Sequence, residues 1–167
     1  MIFQTKRLLI RQLKVSDIKP FHEMQANPNV MKYTDSPNVK TYEEDVLDLQ
    51  NLINLYNIKD NKFWVWAVER KSDNALLGTI ALIPYDDNND EVGFRFLEKY
   101  WNNGYGFEAL EGLLIHAKKI GYKELLAEVY AKNIGSEIIL RKAGFTFIKE
   151  YLCKETNLVD KLFKLEL

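Results

Sequence analysis

The chain has 167 residues, 47% apolar and 28% charged, with 8 Gly, 4 Pro and a single Cys. At about 150 residues per domain this is one domain, residues 1–167, long enough to bury about 70% of its extended surface without disulfides or a structural metal. The 23 Lys and Arg against 24 Asp and Glu leave a formal net charge of −1, so no global field draws nucleic acid. Cys153 cannot form an internal bridge, and no His or Cys stands at zinc-ligand spacing from it. A reducing cytoplasm is the expected compartment. The start of the chain lacks the apolar core of a signal peptide, and no apolar run reaches the ~20 residues that span a bilayer. The expectation is therefore a cytoplasmic protein with no membrane and no nucleic-acid partner, a monomer or homodimer.

In chain order, residues 7–13 are leucine- and isoleucine-rich and predict a first strand. Ser16 stands as the N-cap of a helix over 17–26, with Asp17 in its first turn, and Asn27-Pro28-Asn29 ends it. Residues 33–40 have turn composition. Thr41 and Glu44 form a capping box that opens a second helix, its apolar face set by Val46, Leu49, Ile53 and Tyr56. Strands over 63–69 and 76–83 flank Lys71-Ser72-Asp73-Asn74 and predict a hairpin. In the strand over 91–97, Val92, Phe94 and Phe96 share one face while Glu91, Gly93 and Arg95 share the other. Phe107, Leu110, Leu114 and Ala117 form the stripe of a helix over 107–120, closed by Gly121. A strand over 124–130, a short helix over 135–142 stopped by Gly144, and strands over 145–153 and 159–165 complete the chain. Hairpins followed by a strand–helix–strand crossover predict an α/β protein, a mixed sheet with helices on both faces.

Between the strand over 91–97 and the following helix lies Trp101-Asn102-Asn103-Gly104-Tyr105-Gly106-Phe107. Two alternate glycines at a helix start let backbone N–H groups converge where the helix dipole favours an anion. No Gly-Lys-Ser/Thr follows and a third fingerprint glycine is missing, so neither a P-loop nor a dinucleotide fold fits. An isolated G-x-G is also what an ordinary strand-to-helix turn contains.

Four motifs in order nevertheless resemble one family. Thr5-Lys6-Arg7-Leu8-Leu9-Ile10-Arg11 with Asn27-Pro28-Asn29-Val30-Met31, then Glu91-Val92-Gly93-Phe94, then Gly104-Tyr105-Gly106-Phe107-Glu108-Ala109, and lastly Asn133-Ile134-Gly135-Ser136 with Lys142-Ala143-Gly144-Phe145 are similar to the GCN5-related N-acetyltransferase (GNAT) superfamily, in its RimJ/RimL-like branch. The resemblance implies a single-domain, mostly antiparallel sheet whose fourth and fifth strands, here 91–97 and 124–130, splay apart. It implies acetyl-CoA as co-substrate, its diphosphate on Asn102, Asn103, Gly104, Tyr105, Gly106 and Phe107, and its pantetheine arm along Phe96, Leu97 and Asn133. Two departures stand out. Trp101 occupies a position where the family often carries Gln or Arg, and Leu140 stands where many relatives have the Tyr that protonates the leaving thiolate.

Acyl transfer to an amine needs a proton acceptor for the amine and a proton for the sulfur. Glu91 is the expected base, and the resemblance puts Ser136 near the sulfur as the donor that Leu140 cannot be. Tyr33, Asp35, Trp64 and Trp66 are expected to line the acceptor approach, while His22 and His116 read as a packing and a surface histidine. The acceptor is an amine on a peptide N-terminus or a small molecule. A polyamine would suit an acidic edge at Asp86-Asp87-Asn88-Asn89-Asp90, which also reads as a solvated turn. The alternative is a catalytically degenerate, CoA-binding regulatory module.

Overall fold

A computed structural model describes residues 1–34, 39–154 and 156–167. The elements are β1 (Phe3–Gln4), β2 (Leu8–Arg11), α1 (Ile18–Gln25), α2 (Pro28–Met31), α3 (Tyr42–Leu55), β3 (Trp64–Arg70), β4 (Leu76–Pro84), β5 (Asp90–Phe96), α4 (Tyr105–Lys119), β6 (Glu124–Tyr130), α5 (Ile134–Lys142), β7 (Thr146–Leu152) and β8 (Val159–Glu166). The strands form one eight-stranded sheet in the order β1-β2-β3-β4-β5-β6-β8-β7. Each neighbouring pair is antiparallel except β5 and β6. The α/β class and mixed sheet follow the sequence expectation.

Strand alternation sorts the central side chains into two cores. Trp66 and Val68 of β3, Val92 and Phe96 of β5, and Leu125, Ala127 and Val129 of β6 pack with Leu110 and Leu113 of α4. On the opposite face Ala67 of β3 and Leu76 of β4 pack with Phe21 and Met24 of α1 and Leu49 of α3. Because β4 is covered on both faces, it reads as a nearly unbroken apolar run. The parallel step is narrow: β5 and β6 pair only at Glu91 and Leu126. Beyond that rung they diverge, which is the splay expected of the strands over 91–97 and 124–130.

Several local expectations change. Ser16 does not cap α1; a 3₁₀ turn, Val15–Asp17, precedes it. Asp17 is drawn inward by Arg11, whose two terminal nitrogens meet its carboxylate at 2.8 and 2.9 Å. Asn27 not only follows α1 but caps α2, its Oδ1 accepting from the Asn29 N–H. The Thr41 and Glu44 capping box opens α3 as predicted, but Val46 is exposed and the helix buries Asp45 and Leu49 instead. Asp45 faces His22 of α1, Nδ1 to Oδ2 2.6 Å, so His22 is the packing histidine expected. His116 is half-buried at the surface, where it stacks on Phe3 at 5.2 Å and meets the edge of Trp66 at 6.3 Å.

Candidate active site

The turn between β5 and α4 is built from left-handed residues. Asn102 has φ 58° and Gly104 φ 77°, a region that glycine, and next to it asparagine, enters at least cost. The first rung of α4 runs from the Glu108 N–H to the Gly104 carbonyl at 3.1 Å, so the N–H groups of Tyr105, Gly106 and Phe107 precede the ladder and point out of the helix start. Gly106 serves another purpose: a Cβ there would stand 3.0 Å from Ile139 of α5, so the glycine lets the two helices approach. Asn103 folds its own amide back, Nδ2 donating to the Trp101 carbonyl at 2.7 Å. Lys142 of α5 lies 4.1 Å from the Phe107 ring centroid. A convergent set of backbone donors with Lys142 beside it has the chemistry to hold a diphosphate.

Phe96 and Leu97 were both expected at the splayed edge, and the structure separates them. Their side chains are buried in opposite cores. The Leu97 N–H bonds the Leu77 carbonyl at 2.9 Å and its carbonyl accepts from Tyr100 at 2.9 Å, so Leu97 turns its backbone toward β4. Alternation then directs the backbone of Phe96 toward the splay, and there the Trp101 indole donates to the Phe96 carbonyl at 2.8 Å. Trp101 thus covers an edge carbonyl that would otherwise be bare.

On the sheet face opposite α4, alternation places Glu91 of β5 together with Glu128 and Tyr130 of β6; Glu91 pairs with Leu126, so Glu128 stands two residues and Tyr130 four residues farther along the splay. Tyr151 of β7 donates its hydroxyl to Glu128. Burial, Glu128 and Tyr85 push the Tyr151 phenol well above its usual range. Tyr85, just after β4, is raised by burial and lies near enough to Tyr151, Glu128 and Glu91 to feel all three. The Tyr33 ring, at the end of α2, reaches within 6.2 Å of Tyr130, so it joins this face. Asp35 lies outside the described residues.

Trp64 and Trp66 do not join it. They stack on each other at 6.0 Å on the α4 side of β3, where Trp66 is 4% exposed; the strand's alternation turns them away from Glu91. At the end of β6, Asn133 caps α5, its Oδ1 accepting from the Ser136 N–H at 3.2 Å. The cap leaves Nδ2 and the second lone pair of Oδ1 for a ligand contact. Ser136 is half-buried in the first turn of α5, and Leu140 is buried in the core. Sequence reasoning passed over Glu128, Tyr85, Tyr151 and the side chain of Arg7. The available signal was a carboxylate in mid-strand, set between Ala127 and Val129 of the apolar face.

Residues 7–146 match the family profile described as an acetyltransferase (GNAT) domain. The chain belongs to the GNAT acetyltransferase family. It is 30% identical over 166 residues to the "uncharacterized N-acetyltransferase YnaD" of Bacillus subtilis (strain 168), covering 95% of this chain and 92% of that one. Its fold is similar to a GNAT-family acetyltransferase from Bacillus anthracis, with TM-score 0.86, 24% identity and coverage of 98% and 96%. It is likewise similar to RimL, a ribosomal L7/L12 alpha-N-protein acetyltransferase in complex with coenzyme A, with TM-score 0.84, 16% identity and coverage of 99% and 97%. As a GNAT protein the chain is an acyltransferase. The matched span contains the turn at 101–107, Glu91, Glu128, Asn133 and Ser136, and it ends at the first residue of β7. Tyr151, which holds Glu128, lies beyond it.

Proposed function

We propose that this GNAT enzyme moves the acetyl group of acetyl-CoA onto a primary amine, and that the amine is the α-amine of a protein N-terminus. The observation that carries the reading is the placement of Glu91 and Glu128 on one face at the mouth of the splay, one strand end away from the donors at Gly104–Phe107. The diphosphate sits on those donors and the thioester arm lies between β5 and β6. An incoming ammonium loses its proton to Glu91, with Glu128 as the neighbouring carboxylate. The free amine attacks the acetyl carbonyl, the C–S bond breaks, the amide nitrogen releases its second proton to water, and the departing thiolate takes a proton from the Ser136 hydroxyl, which that water restores. Asn133 Nδ2 steadies the arm.

Two features favour a protein α-amine over a polyamine. The structural relative RimL is described as an alpha-N-protein acetyltransferase. The acidic edge a polyamine would need is a self-bonded turn: Asp86 accepts from the N–H groups of Asn88 and Asn89 and from the Asn89 amide, which hold its carboxyl below the usual range. The reading of a CoA-binding module without turnover draws on buried Leu140, and the same experiment decides it. Thiol release is measured with N-terminal peptides, polyamines and aminoglycosides as acceptors. Turnover with peptides is expected, and Glu91→Gln is expected to lower kcat by about a hundredfold or more while CoA binding by calorimetry stays unchanged. No CoA binding at millimolar ligand would sink the acyl-transfer reading. An unaltered rate in Glu91→Gln would remove Glu91 as base, and release with polyamines alone would overturn the acceptor.

A further inference from the structure

The Thr5-Lys6-Arg7 turn between β1 and β2 has no part in the chemistry above, yet it is bonded to the start of α4. Glu108 Oε1 accepts from the Thr5 hydroxyl at 2.6 Å and from the Arg7 N–H at 2.7 Å, and Oε2 accepts from Arg7 Nε at 2.6 Å. Burial opposes ionisation of Glu108, but these donors outweigh it and hold its carboxyl below the usual range. Arg7 then reaches past Glu108. Its guanidinium donates to the Asn103 carbonyl at 3.1 Å and lies 4.4 Å from the Tyr105 ring centroid. Its other terminal nitrogen stands 3.5 Å from where a side chain on Gly104 would begin. One side chain therefore touches or borders every residue from Asn103 to Tyr105.

A trans peptide is planar, with its carbonyl and the following N–H pointing in opposite directions. Fastening the Asn103 carbonyl to Arg7 therefore turns the Gly104 N–H away from Arg7. The Trp101 carbonyl, held by the Asn103 amide at 2.7 Å, sets the Asn102 N–H by the same rule. Because Glu108 balances the Arg7 charge at 2.6 Å, the guanidinium adds little net field and acts through geometry.

We propose that Arg7 is a positioning residue for the carrier: it holds the turn before α4 with its N–H groups already aimed, and so sets the affinity for the diphosphate of acetyl-CoA. This rests on the acyl-transfer reading. The test uses Arg7→Gln and Arg7→Lys with two donors, acetyl-CoA and S-acetylpantetheine, the second lacking the diphosphate, alongside CoA binding by calorimetry and thermal melts. The expected result is a rise of about tenfold in the Kd for CoA and the KM for acetyl-CoA in both variants, with kcat within about twofold and kcat/KM for S-acetylpantetheine unchanged. Lysine does not rescue, because it keeps the charge but cannot bridge Glu108 and the Asn103 carbonyl with a planar fork. Unchanged CoA affinity, equal losses on both donors, or full rescue by lysine would each overturn the inference. If the unmutated protein binds no CoA, the acyl-transfer reading itself fails.

Discussion

His116 illustrates how much a single ring can depend on its neighbours. Stacked on Phe3 and edge-on to Trp66, its imidazole is held below the ordinary 6.5 first by burial and then by the charge of Lys119. The fold prefers the neutral ring, so this contribution to stability is complete above the unfolded value of 6.5 and is lost as pH falls through the lowered folded value. Thermal melts should show stability declining as the medium is acidified below about pH 6.5, and His116→Leu should lessen that slope. A slope identical in the two proteins would refute the assignment. At this scale the sequence was legible where a residue's role follows from its own strand or helix: Glu91 opposite Val92, Gly104 at a helix start, Asn133 as a cap. It was silent where the partner is remote. Arg7 meets a carboxylate 101 positions away and Glu128 a phenol 23 positions away, and no local period announces either.

On the proposed reading, ligand affinity depends most directly on the turn into α4. Gly104 sits at φ 77°, where an alanine is strained by about 1–2 kcal/mol. Gly104→Ala should therefore lower the urea unfolding free energy by about 1 kcal/mol, and relaxation of the turn should also weaken CoA binding in calorimetry. Unaltered affinity would show that the turn does not need its left-handed residue. Elements with a long periodic signal, α4 and β6 above all, were readable almost to their ends. β1 was not, because two residues carry no alternation to detect. The true start of α1 was hidden as well: Ser16 has the chemistry of a cap, but Asp17, buried against Arg11, governs where the helix begins. The tryptophans of β3 were misplaced because alternation fixes which residues share a face without saying which face meets the ligand.

Over the whole molecule, Arg11 joins regions that hydrophobic packing alone would leave loosely tied. From β2 it reaches Asp17 ahead of α1 at 2.8 Å and Glu69 of β3 at 2.6 Å, and all three side chains are nearly sheltered from water. Arg11→Met would leave two carboxylates without their cation, for which a loss of about 3 kcal/mol is expected in denaturant unfolding. A loss under about 0.5 kcal/mol would mean that the trio behaves as a surface pair.

The lone rung between Glu91 and Leu126 has a mechanical side. Five strands lie to one side of it and three to the other, like two leaves meeting along a short spine, with α4 and α5 as the backing. On the proposed reading a thioester arm wedged into the gap would touch both leaves at once, and its occupancy would stiffen the seam itself. Slowed deuterium uptake along the facing edges of β5 and β6 would then report a loaded enzyme before any product forms.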